Sequence, residues 1–207
     1  SFDEADAAVC FILGLQKRCG TNYFSRLIQE HPETSAPGPI WEDYFLHHSD
    51  PIHDFADSMY DRWTEYWDIE EGVGPKSELQ RYLGIALRGF LLRQLGQGPH
   101  SDGHHPGGQP KTKVLLTKTP SVQGIGGFFD LFPEDYLIVL VRDGRAVVES
   151  GVRSFGWGYE DAMREWAQGA EEILRVSSEF QRKQRRFLFV RYEDVFKDER
   201  GYLERVC

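Results

Sequence analysis

The sequence predicts an α/β protein with a mainly parallel central sheet flanked by helices, and three observations lead to this prediction. Four short apolar segments have the composition of strands: residues 9–15, 113–118, 136–142 and 186–192. Their nearly continuous hydrophobicity is typical of strands buried on both faces of a parallel sheet. Helical patterns lie between them, and this alternation favours parallel pairing. With 207 residues, of which 40% are hydrophobic, the chain is long enough for a single domain, 1–207.

Amphipathic helices are predicted at 21–31, 77–95 and 160–180, where apolar residues recur at helical spacing. The second and third of these predict rows of core-facing side chains: Leu79, Leu83, Ala86, Leu87, Phe90 and Leu91, then Met163, Trp166, Ala170, Ile173, Leu174 and Ser177. Segment 96–113 is rich in Gly and Pro, which interrupt both helical and strand patterns. We expect a mobile loop there.

The composition excludes several classes of function. The chain has 33 Asp and Glu against 24 Lys and Arg, a formal net charge of −9, which argues against general nucleic-acid binding. No apolar run approaches the roughly 20 residues that span a bilayer, so no membrane segment is expected in this chain. Three cysteines are too few for a disulfide framework. These features favour a cytoplasmic setting, although a Golgi-lumenal enzyme trimmed of its anchor would look the same.

The turn between the first strand and the first helix has the features of an anion-binding site. Free backbone N–H groups and the positive end of a helix face a ligand at such a turn. Gly20 permits close approach of the backbone, Thr21 and Asn22 offer side-chain hydrogen bonds, and Lys17 and Arg18 supply positive charge. The segment therefore predicts a phosphate site in an acidic protein.

Two familiar phosphate loops do not fit this turn. The ATP-binding pattern G-x-x-x-x-G-K-[ST] fails because five residues separate Gly14 from Gly20 and no lysine follows. The cysteine-phosphatase spacing fails because Ser25 stands where the arginine is needed after Cys19. We interpret Cys19 as a small loop residue that lends its backbone N–H, with a thiol pKa lowered by the helix start and the nearby cations.

The sequence "KRCGTNYF" resembles the 5′-phosphosulfate loop of sulfotransferases that use 3′-phosphoadenosine 5′-phosphosulfate (PAPS). The resemblance implies that this loop contacts the cofactor through Lys17, Arg18, Cys19, Gly20, Thr21, Asn22 and Tyr23. "LIVLVRDGRAVVESGVRS" is similar to the family's 3′-phosphate segment, with Arg142 and Ser150 at the matching positions. PAPS and its product carry that 3′-phosphate and ATP does not, so two separate anion motifs favour this cofactor over ATP.

Two further segments match the family in order along the chain. "LLTKTP" resembles the strand that delivers an active-site lysine, here Lys118, and "FVRYEDV" resembles the strand whose Tyr192 would face the adenine. The "RDGR" form, with Gly144 in place of a common proline, is most similar to tyrosylprotein sulfotransferases and bacterial relatives. The resemblance implies a P-loop, nucleotide-kinase-like fold, PAPS as donor, adenosine 3′,5′-bisphosphate as product, and no required metal.

The resemblance also implies catalytic roles. Arg18 and Lys118 would stabilise the charge that develops on the transferring group. The histidine found two residues after the strand lysine in cytosolic sulfotransferases is replaced here by Pro120. Tyrosylprotein-type members use a glutamate shortly after the first helix, and Glu42 lies in the matching region, a few residues later than in those members. Other side chains remain open as the base: Asp43, Glu33, His47, His48 and His53.

Residues of about 40–110 are expected to form a helical acceptor-side region. Its aromatic side chains would line an apolar pocket or pack in the core: Trp41, Tyr44, Phe45, Trp63, Tyr66 and Trp67. The expected partner is a small-molecule or tyrosine-like hydroxyl acceptor; the sequence does not predict the oligomeric state. Family members continue with a further helix and loop, so a truncated C-terminal end is expected. The alternatives are a P-loop-like small-molecule kinase and a catalytically silent PAPS-binding module.

Overall fold

The computed structural model of the chain describes residues 8–36, 38–67, 74–94 and 114–206. The predicted loop at 96–113 lies outside these residues. Within them, five parallel strands form one sheet in the order β2-β3-β1-β4-β5, which confirms the predicted α/β fold. The strands are β1 (Ala8–Gly14), β2 (Thr34–Ser35), β3 (Val114–Thr119), β4 (Tyr136–Val141) and β5 (Phe187–Arg191).

Helices cover both faces of this sheet. They are α1 (Thr21–Gln29), α2 (Asp50–Tyr66), α3 (Lys76–Gln94), α4 (Phe128–Leu131), α5 (Gly144–Phe155), α6 (Tyr159–Arg182), α7 (Tyr192–Lys197) and α8 (Glu199–Val206), with a 3₁₀ turn at Ile125–Gly127. None of the helices described here is long and apolar enough to cross a membrane.

Strand β1 separates two hydrophobic clusters, because successive side chains of a strand point to opposite faces. Phe11 and Leu13 lie in the larger cluster, with side chains of α3, α4 and α6. Cys10 and Ile12 lie in the smaller one, with side chains of α1 and α7. The molecule is therefore a three-layer α/β/α arrangement, and Cys10 is buried in a strand as such residues usually are.

The helical periodicity of α3 and α6 is confirmed, but several predicted core positions are wrong. In α6 the buried side chains are Ala162, Ile173, Val176 and Phe180, whereas Leu174 is 70% exposed. The other predicted core residues that are exposed are Ala86, Phe90 and Met163. A helix buries only the stripe that meets the sheet, and the apolar side chains beside that stripe stay in solvent.

The strand order creates a crevice at one edge of the sheet. All strands are parallel, so their carboxyl ends share that edge. The chain leaves β1 toward β2 and β3 on one side and then crosses to β4 on the other. Ligands of open α/β sheets bind outside the carboxyl ends of strands where the connections diverge in this way. The loops that follow β1 and β4 meet at this position.

Candidate active site

The turn after β1 has a backbone conformation that suits anion binding. Arg18 has φ 75° and Gly20 has φ 96°, both in the left-handed region. Gly20 caps α1, which begins at the buried Thr21. A Cβ on Gly20 would lie 2.5 Å from the Tyr192 ring. Glycine is therefore required here both by the backbone angle and by the aromatic ring packed against it.

Arg18 joins the turn after β1 to the segment after β4. Its backbone carbonyl accepts a hydrogen bond from the Arg142 guanidinium at 3.1 Å, and its own Nε donates to Ser150 Oγ at 2.9 Å. The Arg18 guanidinium also lies 5.4 Å from the centroid of the Phe155 ring. The two predicted anion motifs, 124 or more residues apart in sequence, thus form one continuous cationic surface.

An open groove of about 500 Å³ adjoins this surface. It is lined by Arg142, Asp143, Arg145, Ala146, Tyr192, Glu193, Phe196 and Lys197. The Arg142 guanidinium lies 4.6 Å from the centroid of the Tyr192 ring, which stacks on Phe196 at 6.2 Å. Cations and flat apolar rings in one groove are the groups that bind a phosphorylated aromatic base.

Tyr23 lies behind the groove, edge-on to Tyr192 with ring centroids 5.7 Å apart. Its hydroxyl donates to the Glu199 carboxylate of α8. Burial, together with this carboxylate, raises the pKa of Tyr23 to about 12, so the phenol stays protonated at physiological pH. Tyr23 therefore links α8 to the turn after β1.

On the other side of β1, Lys118 and Glu42 form an ion pair. Lys118 lies on β3 beside Ile12, and its Nζ donates to Glu42 Oε1 at 3.2 Å. The lysine side chain is 10% exposed and the glutamate 30%, so the carboxylate is the more accessible partner. Burial, together with the nearby Glu42 carboxylate, raises the pKa of Tyr44 to about 12.

Hydrogen bonds to β3 hold the segment that carries Glu42. The Asp43 N–H donates to the Lys118 carbonyl at 3.3 Å, and the Tyr44 N–H donates to Thr119 Oγ1 at 3.0 Å. Thr117 Oγ1 donates to Asp43 Oδ2 at 2.6 Å. These contacts place the Glu42 side chain against the end of β3.

A model of the sulfotransferase family matches residues 10–207. The chain belongs to the sulfotransferase family. Its family indicates a transferase that moves a sulfuryl group.

Two solved structures resemble this sulfotransferase in fold. The sulfotransferase domain of the olefin synthase from Synechococcus PCC 7002 is 21% identical, with a TM-score of 0.58 over 100% of this chain and 75% of that one. A sulfotransferase from Alicyclobacillus acidocaldarius is 17% identical, with a TM-score of 0.54 over 96% of this chain and 78% of that one. No curated protein sequence matches the chain.

The structure separates the other candidates for a base in this sulfotransferase. Glu33 precedes Thr34, which pairs with Val114 at the start of β3. Val114 and Lys118 are about 13 Å apart along the strand, so Glu33 lies far from the lysine. His53 packs on Gly127 and is hydrogen-bonded to Gln80. Asp43 accepts a hydrogen bond from Thr117, and burial raises the pKa of its carboxyl group. His48 is exposed and lies next to His47.

His47 is the alternative base that lies near the carboxyl end of β3. Its Nδ1 lies 2.8 Å from Ser121 Oγ, three residues beyond Lys118. Burial lowers the pKa of His47, and the charges of His48 and Lys17 lower it further. The imidazole is therefore neutral at physiological pH and has an acceptor nitrogen, so His47 remains a second candidate.

The structure contradicts the expectation that the thiol pKa of Cys19 is lowered. Burial raises the pKa of its thiol by more than the backbone N–H of Gln16 and the charge of Arg142 lower it. The side chain is 1% exposed, and its sulfur accepts a hydrogen bond from the Gln16 N–H at 3.4 Å. The expected fall in pKa was wrong, because a nearby charge and a helix start act on a thiol that solvent does not reach.

We expect Cys19→Ser to change turnover by less than about tenfold, since a hydroxyl can accept the same Gln16 N–H and a neutral hydrogen bond has only modest strength. The measurement is turnover beside nucleotide affinity in the two proteins. A Cys19→Ser enzyme with normal nucleotide affinity and no turnover would instead make the thiol a nucleophile.

The aromatic residues predicted on the acceptor side have different environments. Trp41 is 74% exposed, and Tyr66 and Trp67 are also exposed, whereas Phe45 packs against the larger hydrophobic cluster. Tyr44 contacts both Glu42 and His47. Tyr44 lies next to the Lys118–Glu42 pair.

The residues that hold Glu42 and Arg142 in place were not identified from the sequence. Thr117 and Thr119 hold the Glu42 segment, and Trp166 and Glu193 contact the turn that carries Arg142. The two threonines alternate with Lys118 on a strand otherwise read as apolar, and that pattern is a signal that the sequence did contain.

Proposed function

We propose that this sulfotransferase moves a sulfuryl group from PAPS to a hydroxyl or phenol on a small-molecule or tyrosine-like acceptor. The observation that supports this proposal is the Arg18 bridge, which joins a glycine turn to Arg142 and Ser150. A nucleotide with phosphate groups at both its 5′ and its 3′ positions fits two linked cationic sites. A nucleotide phosphorylated only at its 5′ end would leave the second site unused.

Different residues of the chain would bind the two phosphate ends of the donor. The N–H groups at the start of α1, together with Lys17, would hold the 5′ phosphosulfate, and Arg142 with Ser150 would hold the 3′-phosphate. Tyr192 offers a flat ring beside Arg142 for the adenine. PAPS, when bound, supplies the sulfuryl group, whose bond to the bridging oxygen breaks as the acceptor oxygen attacks sulfur.

Two side chains carry the proposed chemistry. Glu42 takes the proton from the acceptor hydroxyl, and the ammonium of Lys118 offsets negative charge that develops on the oxygens of the transferring group. Their 3.2 Å contact places acceptor deprotonation and charge stabilisation at neighbouring atoms. Arg18 adds a second cation at the turn. These cations and backbone N–H groups supply the positive field, so the proposed reaction needs no metal ion.

We expect adenosine 3′,5′-bisphosphate to bind this protein much more tightly than AMP, and Arg142→Ala to remove most of that difference, worth about 1.5–3 kcal/mol for a charge-assisted contact. Calorimetric titration of both nucleotides into both proteins measures it. Arg175→Ala is a matched control, since that arginine is exposed on α6 and paired with Glu172. Equal affinity of the unmutated protein for the two nucleotides would contradict the PAPS proposal.

Consumption of PAPS separates an enzyme from a silent binding module. A silent module would bind adenosine 3′,5′-bisphosphate and tolerate loss of Lys118 and Glu42. Release of the bisphosphate from PAPS, in the presence of a panel of phenols and alcohols, is the expected result for the enzyme.

A further inference from the structure

The peptide bond that follows Arg142 is held at both of its polar atoms by side chains from two different helices. The Arg142 carbonyl accepts a hydrogen bond from Trp166 Nε1 of α6 at 3.2 Å. The Asp143 N–H, on the other edge of the same peptide plane, donates to Glu193 Oε1 of α7 at 2.9 Å. A peptide plane has one donor and one acceptor, so both are satisfied by side chains here.

Holding this plane constrains the backbone from which the Arg142 side chain extends. The peptide is rigid, so its orientation sets the rotation about the Cα–C bond of Arg142. The next residues are also held: Asp143 caps α5 by accepting the Arg145 N–H at 2.9 Å. The Trp166 ring fills the space beside Gly144, where a Cβ would lie 2.8 Å from it. The Arg142 turn is thus tied to α5, α6 and α7.

Helix α7 holds Arg142 from a second direction. Its first residue, Tyr192, packs its ring under the guanidinium, and its second residue, Glu193, binds the peptide. Consecutive residues therefore hold the two ends of one arginine. We infer that Trp166 and Glu193 are positioning residues that aim Arg142 at the 3′-phosphate, an inference that rests on the function proposed above.

The charge of Glu193 makes this inference testable, because two possible roles of the carboxylate predict opposite changes in affinity for adenosine 3′,5′-bisphosphate. Glu193 lines the same groove as Arg142, where a carboxylate repels a bound phosphate. If the carboxylate acted through charge alone, its removal would strengthen binding of adenosine 3′,5′-bisphosphate. If it acts as the acceptor for the Asp143 N–H, its removal weakens that binding.

The experiment measures the ratio of affinities for adenosine 3′,5′-bisphosphate and AMP in Glu193→Ala, Glu193→Gln and Trp166→Phe. We expect Glu193→Ala to lower the ratio by about tenfold, the scale of one hydrogen bond to a charged group, with AMP affinity unchanged. Glu193→Gln keeps an acceptor oxygen and should preserve the ratio. Trp166→Phe keeps the ring against Gly144, removes the donor, and should lower the ratio severalfold.

Asp194→Ala is the matched control, since that neighbouring acid lies 4.0 Å from Arg191 and makes no contact with the turn among the described ones. An unchanged ratio in folded Glu193→Ala, or an equal loss in Glu193→Gln, overturns the inference. If Glu193→Ala does not fold, Trp166→Phe decides: a lowered ratio supports the inference and an unchanged one overturns it. A wild-type protein that does not discriminate the two nucleotides contradicts the proposed function itself, so the two failures are distinct.

Discussion

Glu42→Gln is expected to lower turnover by about 10²–10⁴, the range for loss of a general base, while leaving the affinity for adenosine 3′,5′-bisphosphate nearly unchanged. Glutamine keeps the shape of the side chain and an oxygen that can accept from Lys118, but it cannot take up the acceptor's proton. The measurement is turnover across substituted phenols of graded acidity. The loss should shrink as the phenol becomes more acidic, since an ionised phenol needs little help from a base.

Glu33→Gln is the matched control for this substitution. Glu33 adjoins β2 at the start of β3, at the opposite end of the strand from Lys118, so its replacement should leave turnover unchanged. Full activity of Glu42→Gln on the least acidic phenol would show that Glu42 is not the base. His47 would then be the next residue to replace, because its neutral imidazole contacts Ser121 beyond the end of β3.

Lys118→Ala is expected to lower turnover by about 10²–10³, the scale for losing one preorganised donor to a developing charge. Lys118 lies on the far side of β1 from Arg142, so the affinity for adenosine 3′,5′-bisphosphate should be nearly unchanged. A charged lysine has no acceptor capacity, so its loss should not be rescued by acidic phenols to the extent expected for Glu42→Gln.

Lys183→Ala is a control for the loss of a lysine–carboxylate pair as such. That lysine follows α6 and pairs with Glu179 at 2.6 Å on the surface, where such pairs have little effect. A Lys118→Ala protein with wild-type turnover would contradict the electrostatic role. Because Lys118 and Glu42 are in contact, the double variant should lose less activity than the product of the two single losses.

The sequence predicted β1, β3, β4 and β5, because each is a short apolar run. β1 and β3 are buried on both faces as expected, whereas β5 lies at the edge of the sheet and leaves Leu188 39% exposed. The sequence missed β2, whose two residues, Thr34 and Ser35, are too few to show a pattern. It placed α2 only within a helical region of about 40–110 and gave no bounds, because Ala56 is the one residue buried among those described in α2 and no apolar stripe is visible. Leu174 on α6 was wrongly predicted to lie in the core: its position follows the helical spacing of apolar residues, but its side chain is exposed.

Placement of the site was harder to predict than the fold. The turn at Gly20 has a local pattern of glycine, cations and a helix start, so the sequence was sufficient to indicate it. The surroundings of Glu42 depend on Thr117 and Thr119, about 75 residues away. The alternation of these threonines with Lys118 marks β3 as unusual, but it does not show which distant residues contact the strand. Cys19 shows the same limit, because the burial that raises its pKa comes from packing that charges nearby in sequence do not reveal.

The strand order has a consequence for how this protein could diversify. The groups proposed to hold the donor follow β1, β4 and β5, whereas the segment from Glu42 to Tyr44 is attached to β3 through a few hydrogen bonds. Under the proposed function, changes in residues 40–49 should alter the acceptor side while leaving the residues proposed to hold the donor unchanged. The same boundary marks where to recombine this chain with a relative: exchanging that segment together with Thr117 and Thr119 is expected to change acceptor choice.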